Sequence, residues 1–423
     1  MRLWVIPMMY VAGSLACGLV LPRIEQAYFG AVSIGLSVGS AQACLSATAS
    51  GMMALTGLVF AMAFVMVQFS AIAYSPRLVL WLARDRVLFH SLGVFSATFI
   101  YALFALAWID RDGSGAVPMV SMLLVGFLLL ASMLLFSWLV QRLTALQITN
   151  VLQSVGNRGR AVIRDMFDAL DRRSALEGKA DGSNAQLGSI SQTLIYSADP
   201  RTITKLETHA LVEHARRAGA TIVMACAVGD TLLQGSVVLR VHGASGSLSE
   251  IALMQAVHLG TERTFDQDPK YPIRLLVDIA IKALSPAIND PTTAIQALDQ
   301  IEDLLRRLAQ HELDTGLVKD PTGVLRLVLL MPTWDDYLML SFDEIRQFGA
   351  GSIQVMRRLR AALTGLAELT MVAARAEAVR RYLKHLDLTI EHSVFDSEDK
   401  TRALQEDRQG LGLSRRTSLD IVN

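Results

Sequence analysis

Four long apolar stretches dominate the first third of the chain, at about residues 3–21, 52–73, 87–109 and 117–140. Crossing the hydrocarbon core of a bilayer takes roughly 20 predominantly apolar helical residues. Each stretch supplies them with no Asp, Glu, Lys or Arg inside it, and one such charge at a helix centre would cost about 2.5–3.5 kcal/mol. In lipid the backbone must satisfy its own hydrogen bonds, and no alternating strand pattern is present, so these spans are helices. Residues 1–141 therefore read as a transmembrane α-helical bundle of about four spans, retained rather than cleaved as a signal peptide. The faint lipidation look of Cys17 is set aside because Ser14 stands three residues before it.

Arginine near the span ends sets the orientation. Arg77, Arg84 and Arg86 lie between the second and third spans, two Asp and one Arg lie between the third and fourth, and Arg142, Arg158, Arg160 and Arg164 follow the fourth. Four spans with both termini in the cytoplasm satisfy this count, in a bacterial inner membrane. Cys17, Cys44 and Cys226 make no CxxC pair and suggest neither a disulfide framework nor a thiolate zinc site. Lys plus Arg equals Asp plus Glu at 39 each, so no bulk field points to nucleic acid.

No charge occurs between Glu25 and Arg77, far more chain than one span needs. Residues 30–51 are rich in Ser, Ala and Gly and leave three readings open: an external helix on the bundle, a re-entrant or pore-lining element, and a fifth span. Ser46, Ser50 and His90 are the candidate pore or gate residues. The spans lack the ionisable groups that ion-coupled carriers place at membrane depth, which leaves a pore lined by hydroxyls or closed by an apolar constriction.

The remainder reads as an α+β cytoplasmic domain. Residues 142–186 are a juxtamembrane helix, with a break expected at Gly156-Asn157, and a linker. Residues 187–246 are β-rich, with a helix expected over 199–219 capped by Thr202 or Thr204. The strand–turn–strand pattern there resembles half of a biotinyl/lipoyl-type barrel without its cofactor lysine, so the expectation is a small structural β-barrel and no cofactor. Residues 247–392 are helical. Asp290 before Pro291 is a helix start, Ser285-Pro286 ends the preceding helix, and the run 355–383 is amphipathic with a basic face. Residues 393–423 read as a disordered polar tail.

The runs AYSPRLVLWLARDR with LGVFSATFIYAL, RTFDQDPKYPIRLLVDIAIKALSPAINDPTTAIQALD, and SFDEIRQFGAGSIQV together resemble the bacterial predicted-membrane-protein family labelled domain of unknown function 2254 (DUF2254). The likeness covers nearly the whole chain, and SPAINDPTTA is its most specific part. Tyr271-Pro272 departs from the Phe-Gly pair usual in the family. The resemblance implies a multi-span inner-membrane protein with a cytoplasmic C-terminal domain, and carries over no activity.

Asp266, Asp268, Asp278, Asn289 and Asp290 are the one oxygen-rich set that could gather round a hard cation. The structural alternative has Asp290 capping, Asn289 turning and Asp278 pairing with Lys282. Arg263, Arg274 and Arg346 could join those carboxylates in an ion network at a subunit interface, or hold an anion. Ser75, Pro76 and Arg77 form the corner after the second span, where an anchor role competes with gating. Ser285 has no His–Asp pair or GxSxG frame, the histidines lack metal-ligand spacing and no phosphate-binding glycine loop occurs, so an enzyme is not expected. Two functions remain: a homo-oligomeric channel in the bilayer, regulated by its cytoplasmic domain, and a membrane-anchored sensor or scaffold whose cytoplasmic domain binds a partner.

Overall fold

The computed structural model describes residues 4–29, 37–73, 86–109, 117–144, 147–177, 187–313, 316–370 and 372–412. The chain forms two compact units, 1–147 and 148–423. Ser75, Pro76 and Arg77 lie outside the described residues.

The first unit contains α1 (Val5–Phe29), α2 (Val38–Ala73), α3 (Arg86–Ala107) and α4 (Met119–Thr144). All four are long and apolar enough to cross a membrane, over Val5–Glu25, Val38–Val65, Arg86–Ala107 and Met119–Gln141. The alternatives for residues 30–51 are resolved from 38 onward. No separate external helix, re-entrant turn or fifth span forms there, because 38–51 is the first half of one uninterrupted helix. Its Ser and Thr hydroxyls can bond back to carbonyls one turn earlier, as Thr48 does to Cys44 at 2.9 Å, so polar composition does not break it.

α3 is the centre of this bundle, with Phe95, Tyr101, Ala102 and Ala105 buried. Glycine lets α1 approach it closely: a Cβ at Gly18 would lie 2.8 Å from Phe104, and one at Gly93 would overlap the Tyr10 ring. Ser14 donates to Ala97 O at 2.7 Å and Arg23 lies 5.7 Å from the centre of the Trp108 ring, so α1 and α3 run parallel. Tyr101 donates to Ser121 at 3.2 Å and Thr98 meets Ser132 at 3.2 Å, so α4 runs antiparallel to α3. Met52, Val59, Phe95 and Leu139 share one core cluster. The beginning of α1 and the end of α4 therefore lie at the same end of the bundle.

The second unit opens with α5 (Ile148–Glu177) and continues with β1 (Ile190–Ile195), β2 (Arg201–Leu206), α6 (Thr208–Arg217), β3 (Thr221–Met224), β4 (Thr231–Leu232), β5 (Val237–His242), α7 (Glu250–Gln255) and β6 (Val257–Gly260). Then come α8 (Lys270–Ala283), α9 (Pro291–Leu308), β7 (Leu317–Lys319), β8 (Leu325–Val328), α10 (Trp334–Phe348), α11 (Ile353–Leu369), α12 (Ala373–Glu391) and α13 (Ser397–Ala403).

The expected lipoyl-like barrel is not formed. The strands divide into a five-stranded sheet, β1-β5-β3-β8-β7, and a three-stranded sheet, β4-β2-β6. The free edge of β3 pairs parallel with β8, from far outside residues 187–246, so that segment cannot close on itself. The helix expected over 199–219 begins only at Thr208, with Glu207 at its cap. Residues 201–206 are strand because that β-branched run pairs with β4 and β6 and buries Thr202, Ile203 and Leu206.

The break expected at Gly156-Asn157 is also absent. Gly156 and Gly159 serve helix packing instead: a Cβ at 156 would overlap the Gln300 carboxamide, and one at 159 would lie 2.8 Å from Leu304. The amphipathic run 355–383 is two helices, α11 and α12, and its basic face is partly internal, since Arg357 and Arg358 are 4% and 6% exposed. The tail is ordered as far as 412: Asp407, itself buried, accepts from the backbone N–H groups of Gln409, Gly410 and Gly412, and Arg357 donates to Gly412 O at 2.8 Å. Residues 413–423 lie outside the described residues.

Candidate functional site

A cavity of about 630 Å³ lies where the strands of the second unit meet α5. Apolar walls come from Met166 of α5, Leu206 at the end of β2, Val228 after β3, Phe265, Val318 of β7 and Leu330 after β8. Polar groups enter as Lys205, Asp165 and the segment Asp266–Lys270. A mostly apolar enclosure with a few converging polar groups is the usual form of a small-molecule site.

The segment 265–270 is held in place on several sides. Gln267 sits at φ 52, a left-handed conformation that costs a non-glycine residue about 1–2 kcal/mol. Its carboxamide offsets that by acting as a strand partner, accepting from Leu206 N at 2.9 Å and donating to Leu206 O at 3.3 Å. Phe265 stacks under Arg158 at 5.1 Å and packs against Tyr271 with ring centres 5.1 Å apart. Lys270 Nζ donates to Val228 O at 3.3 Å.

Asp268 is 1% exposed. Its Oδ1 accepts from Lys270 N at 3.2 Å, while Oδ2 is buried with no hydrogen-bond partner among the described residues and lies 2.6 Å from where a Cβ on Gly229 would stand. Burial pushes this carboxyl above the usual range despite the pull of Lys270 and Arg263. Gly229 has φ 92, which together with that close approach restricts the position to glycine. Cys226 lines the cavity as a buried thiol bonded to Val238 O at 3.2 Å, and burial pushes it up to about 12. A thiol so held is neutral at pH 7 and a poor nucleophile.

Of the oxygen-rich set read from sequence, Asp266 and Asp268 line this cavity and the other three do not. Asp278 pairs with Arg274 on the preceding turn, at 2.5 Å. Asn289 takes φ 48 in the corner. Asp290 caps α9, accepting from Thr293 N at 3.1 Å ahead of Pro291. Ser285 closes the preceding turn through Lys282 O at 2.7 Å, and Pro286 follows it. No group of three or more His, Cys, Asp or Glu among the described residues is arranged for a metal ion.

The three arginines do not meet at one point. Arg263 donates to Gly229 O at 2.8 Å. Arg274 makes a two-pronged contact with Glu344, at 2.8 and 2.7 Å. Arg346 donates to Thr389 at 2.6 Å. In the first unit Ser46 and Ser50 are exposed on α2, and His90 meets the Tyr10 hydroxyl at 3.1 Å.

Two structural groups escaped the sequence reading. Glu25, 6% exposed, accepts from Val120 N at 2.6 Å and Ser121 N at 3.2 Å, placing a carboxylate on the positive end of α4. Lying just past the first apolar window, it carried no visible partner in sequence. Gln267 gave no signal except its place between two aspartates.

The sequence profile of the family described as predicted membrane protein (DUF2254) matches residues 1–365. An uncharacterized protein of Mycobacterium bovis is 26% identical over 418 residues, covering 95% of this chain and 78% of its own length. Uncharacterized proteins of Mycobacterium tuberculosis from the H37Rv and CDC 1551 strains match to the same extent. No solved structure matches the chain.

Proposed function

Because the chain belongs to the DUF2254 family of predicted membrane proteins, we propose that it is a membrane-anchored sensor. The apolar helices hold it in the bacterial inner membrane, and its C-terminal unit, on the cytoplasmic side, binds a small amphiphilic molecule. The observation that carries this reading is the 630 Å³ cavity, with its apolar walls and its polar edge at Lys205 and Asp266–Lys270. The side assignment rests on the arginines that follow the second and fourth spans and on the shared end of the bundle at which α1 begins and α4 ends. The reading assigns no bond-making step, in keeping with the protonated Cys226.

The test uses the full chain in nanodiscs with 8-anilinonaphthalene-1-sulfonate, an apolar anionic probe. Hydrogen exchange should slow in residues 226–228, 265–270 and 329–332, and Leu330→Trp, which fills the cavity from a half-exposed position, should abolish the effect. No slowing in these three segments at saturating probe would overturn the reading.

A second reading, a homo-oligomeric channel, is favoured by one face of α2. Gly39, Ala43, Ser46, Ser50, Ala54 and Gly57 are all exposed, and at 100° per residue they fall within an arc of about 80°. Buried Ala41, Leu45, Met52 and Val59 occupy the opposite face. Small residues at this spacing let helices of neighbouring subunits approach closely in lipid. Under this reading Ser50→Cys, in a chain lacking Cys17 and Cys44, cross-links between subunits in native membranes, and purified oligomers conduct ions in liposomes. Absence of both results counts against it.

A further inference from the structure

A second cavity, about 360 Å³, lies between α5 and the end of α9. Its polar lining is Asn157, Arg160 and Arg164 from α5, with Arg307, Gln310 and His311 from α9 and the turn after it. The lining thus holds three guanidiniums, an imidazole and two carboxamides, and no carboxylate.

The arginines are held from behind. Asp303 Oδ2 accepts from Arg160 Nη1 at 2.7 Å and from Arg307 Nε at 3.1 Å, leaving the two terminal nitrogens of Arg307 without a partner among the described residues. Arg160 Nη2 donates to Asn157 Oδ1 at 2.7 Å, which leaves the Asn157 amide as a donor. Among the described residues Arg164 pairs only with its neighbour Asp165, at 3.2 Å, and it is two-thirds exposed. The His311 ring is fixed by stacking on Phe167, with centres 4.9 Å apart.

The carbonyl end of a helix is negative and would oppose an anion. Here that end is covered, because Arg375 Nη1 donates to Ala309 O at 3.1 Å and to His311 O at 2.9 Å.

We propose that this cavity binds the phosphoryl group of a phosphorylated small molecule or lipid headgroup, held by Arg160, Arg164 and Arg307. Planar guanidiniums in a fixed fork match phosphate oxygens through paired, charge-assisted bonds. The volume exceeds that of phosphate alone and leaves room for an organic part. α5 also supplies walls to the larger cavity through Val162, Asp165 and Met166, so one helix borders both. The proposal stands independently of the sensor reading, because it concerns different residues and a different ligand.

The experiment uses the full chain in nanodiscs of phosphatidylcholine alone, at constant ionic strength. One arm titrates glycerol 3-phosphate, with chloride as control. The other replaces part of the lipid with phosphatidylglycerol. Hydrogen exchange is read at residues 157–164 and 307–311. Slowing in the first arm identifies a soluble phosphoester as the source; slowing confined to the second identifies a lipid headgroup; either supports the site. In the responding arm Arg307→Gln should weaken binding about tenfold or more. Arg164→Gln, which disturbs no buried bond, should weaken it severalfold with unchanged thermal stability. No slowing in either arm, or slowing that persists in Arg164→Gln and Arg307→Gln alike, overturns the proposal.

Discussion

Replacing Gly159 by alanine asks how firmly α5 is seated on the C-terminal unit. An alanine Cβ would stand 2.8 and 2.9 Å from the two methyls of Leu304 and 3.1 Å from Pro272 Cβ. Carbon atoms rest comfortably at about 3.5–4.0 Å, so the neighbours must withdraw by roughly 0.7 Å. Leu304 is 0% exposed and has no open side to move into, and overpacking of this kind costs about 1–3 kcal/mol. The alanine recovers about 1 kcal/mol of helix propensity over glycine. The net is a destabilisation of about 1 kcal/mol, a factor of roughly five in local opening. Gly156 provides the contrast. There the clash is with the end of the Gln300 side chain, which can swing aside at the loss of its 3.2 Å bond from Arg160, so Gly156→Ala should be close to neutral. Hydrogen exchange on the full chain in nanodiscs reads both variants in peptides from 148–163 and 298–308. Equal or slower exchange in Gly159→Ala than in the parent, or a larger effect from Gly156→Ala, would refute the packing argument.

Other outcomes follow from single groups. Glu25→Gln removes the charge that caps α4 and should lower stability in detergent by about 1–2 kcal/mol, measured as a fall in melting temperature. Arg358→Met strips a buried cation from Asp299 and from the largely buried Glu302. Because Arg306 still pairs with Glu302 at 2.7 Å, the loss should be about 2–3 kcal/mol by chemical denaturation, below that of a fully orphaned buried charge. At Asp320 burial raises the carboxyl, but bonds from Thr322, Arg326 and the backbone N–H groups of Val324 and Thr322 outweigh it and hold the group below the usual carboxylate range. Its stabilising contribution is therefore complete at neutral pH and is lost as pH falls through and below about 4. Exchange in 317–328, corrected for its intrinsic rate, should accelerate there, and Asp320→Asn should remove that dependence. Finally, in a chain lacking Cys17 and Cys44, Cys226 should resist a water-soluble maleimide at pH 7.5 until the protein unfolds, as mass spectrometry would show.

Parts of this molecule were legible because their causes are local. Twenty apolar residues without a charge specify a span whatever surrounds them, and each of the four windows lies largely within such a helix. Asp290-Pro291 starts α9 through a cap and a fixed φ that need no distant partner.

What the sequence by itself determined is thus the presence of four apolar helices and the cap that starts α9, and with them a set of membrane-length helices followed by an α+β unit. The tertiary structure alone decided the rest. Glycines 156 and 159 look like helix breakers until α9 is seen against them. Residues 187–246 suggest a barrel until β8 takes the edge of β3. Asp407 reads as part of a polar tail until three backbone N–H groups converge on it, and Arg160 and Arg307 share an aspartate only because two helices some 150 residues apart in sequence lie side by side. Each depends on pairing between distant segments, which is set by burial and complementary shape, and no local pattern of residue types encodes either.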